Sequence, residues 1–256
     1  MALMKAFSTR VLLRWLAVGA FVALSACSRG DGNAADTPPE TAAETPVPTF
    51  GEIRNGEATY YRASGKGNCS FDASDDLMVA AINTRDYAAA AMCGAYIAVS
   101  GPGGSVTVRV VDRCPGCRPG DLDLSRQAFE RIAAPGAGRV KVTWQVVAGP
   151  VAGPVAYQYM AGSTRYWTAI QVHNHRWPVA ALEILPAGAT DWIRVERRAY
   201  NYFVHPKPIA AGPLRVRLTA LTGAILEDVL PEPAGGLRVL GAAQFAQDPP
   251  GNAPGL

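Results

Sequence analysis

Short apolar runs bounded by turn residues recur along most of this chain, and their spacing predicts strands. Between residues 51 and 147 they read "EATYY", "LMVAAI", "AYIAVS", "SVTVRVVD" and "VKVTWQVV", each rich in β-branched or aromatic residues and closed by Gly, Pro or Asn. Two stretches break the strand period. "TRDYAAAAM" predicts a helix capped by Thr84. "SRQAFERIA" predicts another capped by Ser125, with Ala128, Phe129 and Ile132 as its apolar stripe. "AGPVAGP", residues 148–154, is a short and stiff connector. Beyond it come "VAYQYM", "WTAIQV", "VAALEIL", "WIRVER", "YNYFV", "LRVRLTA" and "ILEDVL" at even spacing. That succession predicts a β-sandwich over 155–235, followed by a tail, 236–256, with little period, in which "GAAQF" adds an edge segment.

The first 50 residues follow another pattern. Lys5, Arg10 and Arg14 precede an apolar run from Trp15 to Leu24 that is too short to span a bilayer. "LSAC" then closes it. Residues 1–27 read as an export signal, and "LSAC" resembles the bacterial lipobox, whose cysteine, here Cys27, is lipidated. The mature chain is then held to the membrane by a lipid anchor and does not span it. Ser28 in the next position implies, by resemblance to such lipoproteins, the outer membrane or cell surface of a Gram-negative bacterium. Residues 28–50 are polar and proline-rich, a disordered linker.

Composition changes this picture in three places. The 26 glycines and 20 prolines support a turn-rich, mainly β protein. A net charge of +3 without any lysine- or arginine-rich run excludes nucleic acid as a partner. Apart from Cys27 there are four cysteines, Cys69, Cys93, Cys114 and Cys117, which allow three pairings. In an exported chain they predict disulfides; the "CPGC" spacing favours Cys114 with Cys117 and leaves Cys69 with Cys93. The longer loop is stabilised by roughly 3 kcal/mol on chain-entropy grounds. Zinc lacks both a second pair at metal spacing and a nearby histidine, so no metal and no cofactor is expected.

"GEATYY", "VVDRCPGCRPGDLDLSRQAFERI", "VKVTWQVV", "STRYWTAIQVHNHRWPVAALE" and "YNYFV" together resemble the bacterial expansins. The resemblance implies a six-stranded double-psi β-barrel over 51–147 and an immunoglobulin-like carbohydrate-binding domain over 155–235. It maps Thr59, Asp112 and Asp123 onto the polar cluster of the expansin groove, with Tyr60 and Arg113 as neighbouring substrate-binding candidates. Tyr166, Trp167 and Tyr200 map onto the aromatic row that lies against cellulose. It further implies a monomer that binds cellulose, xylan-type glycan or peptidoglycan and loosens glucan contacts without enzymatic cleavage. This chain departs from the family at Cys114, where bacterial members carry a tyrosine, and at Met160, where a basic residue often flanks the aromatic row.

The residues themselves bear on that expectation. In "DLDLS" alternation puts Leu122 and Leu124 on one face and Asp123 on the other, with Asp121 alongside. An aspartate in a partly apolar groove has a raised pKa and suits a general acid. Inverting hydrolysis also needs a second carboxylate about 6.5–9.5 Å away. The first strand offers Thr59, Tyr60 and Tyr61 instead, leaving Glu57 and the loop acids Asp72, Asp75 and Asp76 as substitutes. Asp112 has a structural alternative, organising the 114–117 loop through backbone N–H groups. Redox chemistry at Cys114 and Cys117 lacks the βαβ context such motifs use. Tyr166 and Trp167 are adjacent, so both face outward only if Tyr166 precedes the strand or a bulge re-aims it. His173, His175 and His205 read as packing or loop histidines, and Trp177 before Pro178 as packing around that turn.

Two rivals remain. One is a peptidoglycan lytic transglycosylase of the rare lipoprotein A type, whose barrel carries a histidine that the first domain here lacks. The other is a barrel-type secreted protease inhibitor, suggested by "DRCPGC", although such inhibitors are single barrels.

Overall fold

The computed structural model describes residues 51–248. The expected export signal, Cys27, the linker and the last eight residues lie outside them. Six strands form the first domain: β1 (Arg54–Tyr61), β2 (Val79–Asn83), β3 (Tyr96–Gly101), β4 (Gly104–Cys114), β5 (Leu122–Ser125) and β6 (Val140–Val147). They close in the order β1-β5-β2-β4-β3-β6. The β1–β5 and β2–β4 pairs are parallel and the rest antiparallel. This is the double-psi barrel expected. Inward residues such as Ala58, Ile82, Ile97, Val108, Leu122, Leu124, Val142 and Trp144 fill its core.

One close backbone crossing helps to fix the barrel. Gly56 and Gly120 touch, and a Cβ on Gly120 would stand 2.2 Å from the Asn55 carbonyl oxygen. Gly120 also takes a φ of +87°, which favours glycine. Its carbonyl accepts the Trp144 indole N–H at 2.8 Å, and its N–H donates to buried Asp86 at 3.0 Å.

The first helix differs from expectation. Asn83, not Thr84, caps α1 (Thr84–Tyr87), its side-chain oxygen accepting from the Asp86 N–H at 3.0 Å. The helix stops after one turn because Ala88, Ala89 and Ala90 all adopt positive φ. The second helix, α2 (Arg126–Phe129), is capped by Ser125 as expected and buries Ala128 and Phe129; Ile132 follows it into the core.

The second domain comprises β7 (Ala156–Tyr159), β8 (Thr168–His173), β9 (Val179–Leu185), β10 (Ile193–Arg197), β11 (Phe203–His205), β12 (Leu214–Ala220), β13 (Ile225–Leu230) and β14 (Arg238–Leu240). Their order is β13-β12-β9-β10-β11-β8-β7-β14, an immunoglobulin-like sandwich in which β10 pairs with both halves. The domain continues past the boundary expected at 235. Its last edge strand is Arg238–Leu240, paired with β7, whereas "GAAQF" forms no strand and instead sends Phe245 into the core. The Trp177 indole donates to the Ala246 carbonyl at 2.9 Å, fastening that segment.

The domains meet along a polar seam. The Cys69 carbonyl accepts from Gln171 at 2.8 Å and from Asn201 at 3.1 Å, and the Tyr87 hydroxyl donates to the Ala199 carbonyl at 2.8 Å. Arg197, partly buried, donates to the carbonyls of Ala90 and Val179 and covers the Phe203 ring. Satisfied buried polar groups of this kind fix a geometry that apolar contact alone leaves free to slide.

Candidate functional site

Register places four residues in one row across the barrel. Thr59 of β1 pairs with Asp123 of β5, Asp123 with Ala81 of β2, and Ala81 with Asp112 of β4. Laterally paired residues share a face, and this row turns outward while Leu122, Leu124 and Ile82 turn inward. Strand spacing sets the Asp123 and Asp112 backbones about 10 Å apart. Ala81, small and buried, lies between them as the floor.

Asp112 reaches this row through a bulge. Pairing with β2 passes from Val110 directly to Asp112, so Val110 and Val111 are both buried and the aspartate emerges. Its Oδ1 accepts the N–H groups of Asn68 and Arg113, each at 2.7 Å. Gly67 makes that docking possible, since a Cβ there would lie 2.4 Å from the Asp112 carboxyl carbon. Asp112 therefore organises the Gly67–Asn68 loop as well as its own neighbour Arg113.

Thr59 donates its hydroxyl to Asp123 Oδ1 at 2.7 Å. Burial pushes the Asp123 carboxyl above the usual aspartate range; the Thr59 hydroxyl and Arg139 pull it back, and Asp112 adds to the push. Tyr61 stands two residues beyond Thr59 on the same face. Its hydroxyl is buried without a hydrogen-bond partner, and its pKa is raised by burial and then by Asp112 and Asp123. Period-two counting from Thr59 places Tyr61 on that face. Tyr60, expected there, turns to the opposite face, pairs with Leu124 and packs on Phe129 with ring centroids 4.9 Å apart. Arg113 is likewise one residue out of phase with Asp112: it pairs with Ile82 and is not brought to the row.

The end of the groove is a cavity of about 420 Å³ lined by Glu57, Thr59, Cys114, Cys117, Leu122 and Arg139 among others. Both disulfides are present, Cys69–Cys93 and Cys114–Cys117, and the second lies at this mouth. Glu57 is paired with Lys141 at 2.8 Å and Arg139 at 3.1 Å, which hold its pKa low. Asp121 accepts the Glu57 N–H at 2.7 Å and the Arg118 N–H at 3.3 Å, a turn-holding role. Of the loop acids, Asp76 accepts from the Met78 N–H.

On the second domain Tyr166 and Trp167 precede β8, which begins at Thr168. Thr164 and Trp167 exchange backbone hydrogen bonds, so Arg165 and Tyr166 form a tight two-residue turn. Tyr166 is 59% exposed, with the Arg165 guanidinium over its ring, and Tyr200 is 43% exposed. Trp167 is half-buried, resting with Met160 against Ala169, Tyr202 and Val204. Tyr202 extends the patch, its ring centroid 6.1 Å from that of Tyr200. Groove and rings are joined through the backbone: Asp112 holds Asn68, the next carbonyl holds Asn201, and Tyr200 is adjacent. His173 and His175 are buried packing residues, His175 donating from Nδ1 to the Trp177 carbonyl at 2.8 Å.

Comparison with known proteins agrees with this arrangement. Residues 53–144 match the double-psi barrel family described as lytic transglycolase. The chain is 35% identical over 189 residues to Expansin-YoaJ of Bacillus subtilis, covering 72% of this chain and 80% of that protein. It is 30% identical over 191 residues to Expansin-like protein 5 of Dictyostelium discoideum, covering 79% of it. The apo Clavibacter michiganensis expansin superimposes with a TM-score of 0.69 at 35% identity, covering 76% of this chain and 98% of that one. An aspartate-to-asparagine mutant of the same expansin, crystallised in complex with cellohexaose, matches equally well. With both domains matched and four-fifths of a curated relative covered, this chain belongs to the expansins.

Proposed function

We propose that this protein binds cellulose or a related wall glucan along the Thr59–Asp123–Asp112 row and across the Tyr166, Trp167 and Tyr200 face, and loosens contacts between glucan chains without cutting them. The observation that carries this reading is the continuity of the two surfaces: one fastened loop joins an outward polar row to exposed rings. Binding of cellohexaose by the matched Clavibacter expansin supports it. Asp123, with its raised pKa, exchanges hydrogen bonds with glucan hydroxyls. The absence of hydrolysis is supported by the state of the other acids. Glu57 is locked between two cations, and Asp112 uses an oxygen on two backbone N–H groups, so neither is set to activate water.

Each ring stacked on a sugar contributes on the order of 1.5–3 kcal/mol at most. Trp167→Ala combined with Tyr200→Ala should therefore abolish retention on crystalline cellulose in a pull-down, while the same incubation with the parent protein releases no reducing sugar. Retention unchanged by the double substitution would sink the platform. Sugar release that disappears in Asp123→Asn would replace loosening by cleavage, and parallel assays on xylan and peptidoglycan identify the preferred polymer.

In the same reading the mature protein works outside the cytoplasm as a monomer, without a cofactor, tethered by lipid on Cys27. Two disulfides suit an oxidising compartment. A palmitate analogue fed to producing cells should label the parent chain and leave Cys27→Ala unlabelled; equal labelling of both would dismiss the tether.

A further inference from the structure

A second opening lies between the domains, away from the groove. It holds about 390 Å³ and is walled by Phe71, Tyr96 and Arg109 of the barrel and by His173, Asn174 and Arg238 of the second domain. Its place follows from the strand period. Trp167, Ala169, Gln171 and His173 alternate on one side of the β8 segment, and Gln171 there bonds the barrel. At about 3.3 Å per residue His173 stands about 20 Å from Trp167, at the far end of the seam from the rings.

Three features of this opening have no role in gripping a glucan. Neither Arg109 nor Arg238 has a carboxylate partner among the described residues: Arg109 covers the Phe71 ring at 5.1 Å, and Arg238 stands exposed on edge strand β14. His173 is 8% exposed, and its Nε2 is buried with no hydrogen-bond partner. The pocket also carries aromatic walls, Phe71 and Tyr96, beside these polar groups. Unpaired guanidiniums converging with an unsatisfied ring nitrogen are the arrangement that an anion completes. A bare phosphate would leave the aromatic walls uncovered. A volume of this size at a domain boundary suits a molecule of about one sugar ring.

We propose that this interdomain pocket binds a carboxylate carried on a ring-sized body, with the carboxylate held between Arg109 and Arg238 and hydrogen-bonded by His173 Nε2. A uronic-acid residue of a polysaccharide and a free organic acid of the same size share this chemistry. Because the walls come from both domains, the ligand also ties them together. The unliganded imidazole is neutral. Burial, Arg238 and Arg109 push its pKa down to about 4; His175 and Tyr96 are the other titratable groups around it. A bound anion offsets both guanidiniums and favours the imidazolium, so His173 titrates at higher pH in the complex and affinity rises as pH falls.

The test titrates the full chain with glucuronate, trigalacturonate, glucose and inorganic phosphate, read by calorimetry and by the His173 Cε1–H resonance. Glucuronate should bind, glucose should not, phosphate should bind more weakly, and the His173 midpoint should move up with glucuronate. Arg238→Gln, at an exposed position that does not support the fold, and Arg109→Gln should each weaken glucuronate at least tenfold with cellohexaose binding unchanged. Trigalacturonate binding more tightly than glucuronate assigns the site to a polymer, and weaker binding assigns it to a free acid. No glucuronate binding, phosphate binding at least as tight, or indifference to Arg238→Gln would each overturn the proposal.

Discussion

At the scale of one residue, Thr59 decides how far burial can take Asp123. Desolvation disfavours the carboxylate, and the threonine hydroxyl, donating at 2.7 Å, is the largest influence in the other direction. Thr59→Val keeps the branched shape on an outward strand position and removes only that donor. The carboxylate then loses stabilisation that the neutral acid does not need, so the Asp123 pKa must rise further. Carbon-13 titration of the Asp123 carboxyl should show its midpoint displaced upward in Thr59→Val, and the pH profile of glucan binding should move the same way. A midpoint that stays put or falls would mean that the hydroxyl does not tune the acid. Tyr61 belongs to the same argument. Burial first, and then the carboxylates of Asp112 and Asp123, oppose ionisation of its unpartnered hydroxyl, so it stays neutral.

At the scale of elements, what the sequence reveals depends on which interactions set each element. "VKVTWQVV", "LRVRLTA" and "ILEDVL" coincide with β6, β12 and β13 because alternating burial is written locally in their period, and "VAALEIL" coincides with β9 as a short apolar run buried on both faces. The phase of Asp112 is not local. Only the bulge against β2 turns it outward, and a run of apolar residues ending in aspartate gives no sign of that slip. The helix from Thr84 fails for a similar reason. Alanine favours helix, yet Ala88–Ala90 adopt positive φ in a segment that carries Met92 and the Cys69–Cys93 bond into the core and meets Arg197 from the second domain. β14 is three residues long with Arg238 and Leu240 exposed, so it has almost no burial signal and exists because β7 offers an edge. That Thr59, Asp123 and Asp112 share one row follows from the register and not from sequence spacing; only family motifs group them in the sequence. Tyr60 stands one step out of phase with that row in the two-residue period.

At the scale of the whole molecule, the seam between domains of the unliganded protein depends on histidines that stay uncharged. His175 is 4% exposed, with its ring against Gly94 of the barrel, and His173 faces Phe71 edge-on at 5.3 Å. Burial pushes both down to about 4, from the value near 6.5 that an unfolded chain shows. Since the folded pKa lies below the unfolded one, the unfolded chain takes up protons first as pH falls. The contribution of each histidine to stability is whole above about pH 6.5 and is lost as pH drops from there toward about 4. One histidine protonated only in the unfolded state costs about 1.4 kcal/mol per pH unit, so the pair costs up to about 3 kcal/mol per unit. The window from pH 6 to 5 is diagnostic, because ordinary carboxylates titrate mostly below it. Urea unfolding of the parent protein should show stability falling across that window, and His173→Asn should flatten the fall by up to half. A flat parent profile between pH 6 and 5 would mean that the histidines titrate in the fold as in the unfolded chain, and that the seam without a bound anion tolerates charge where its packing indicates it cannot.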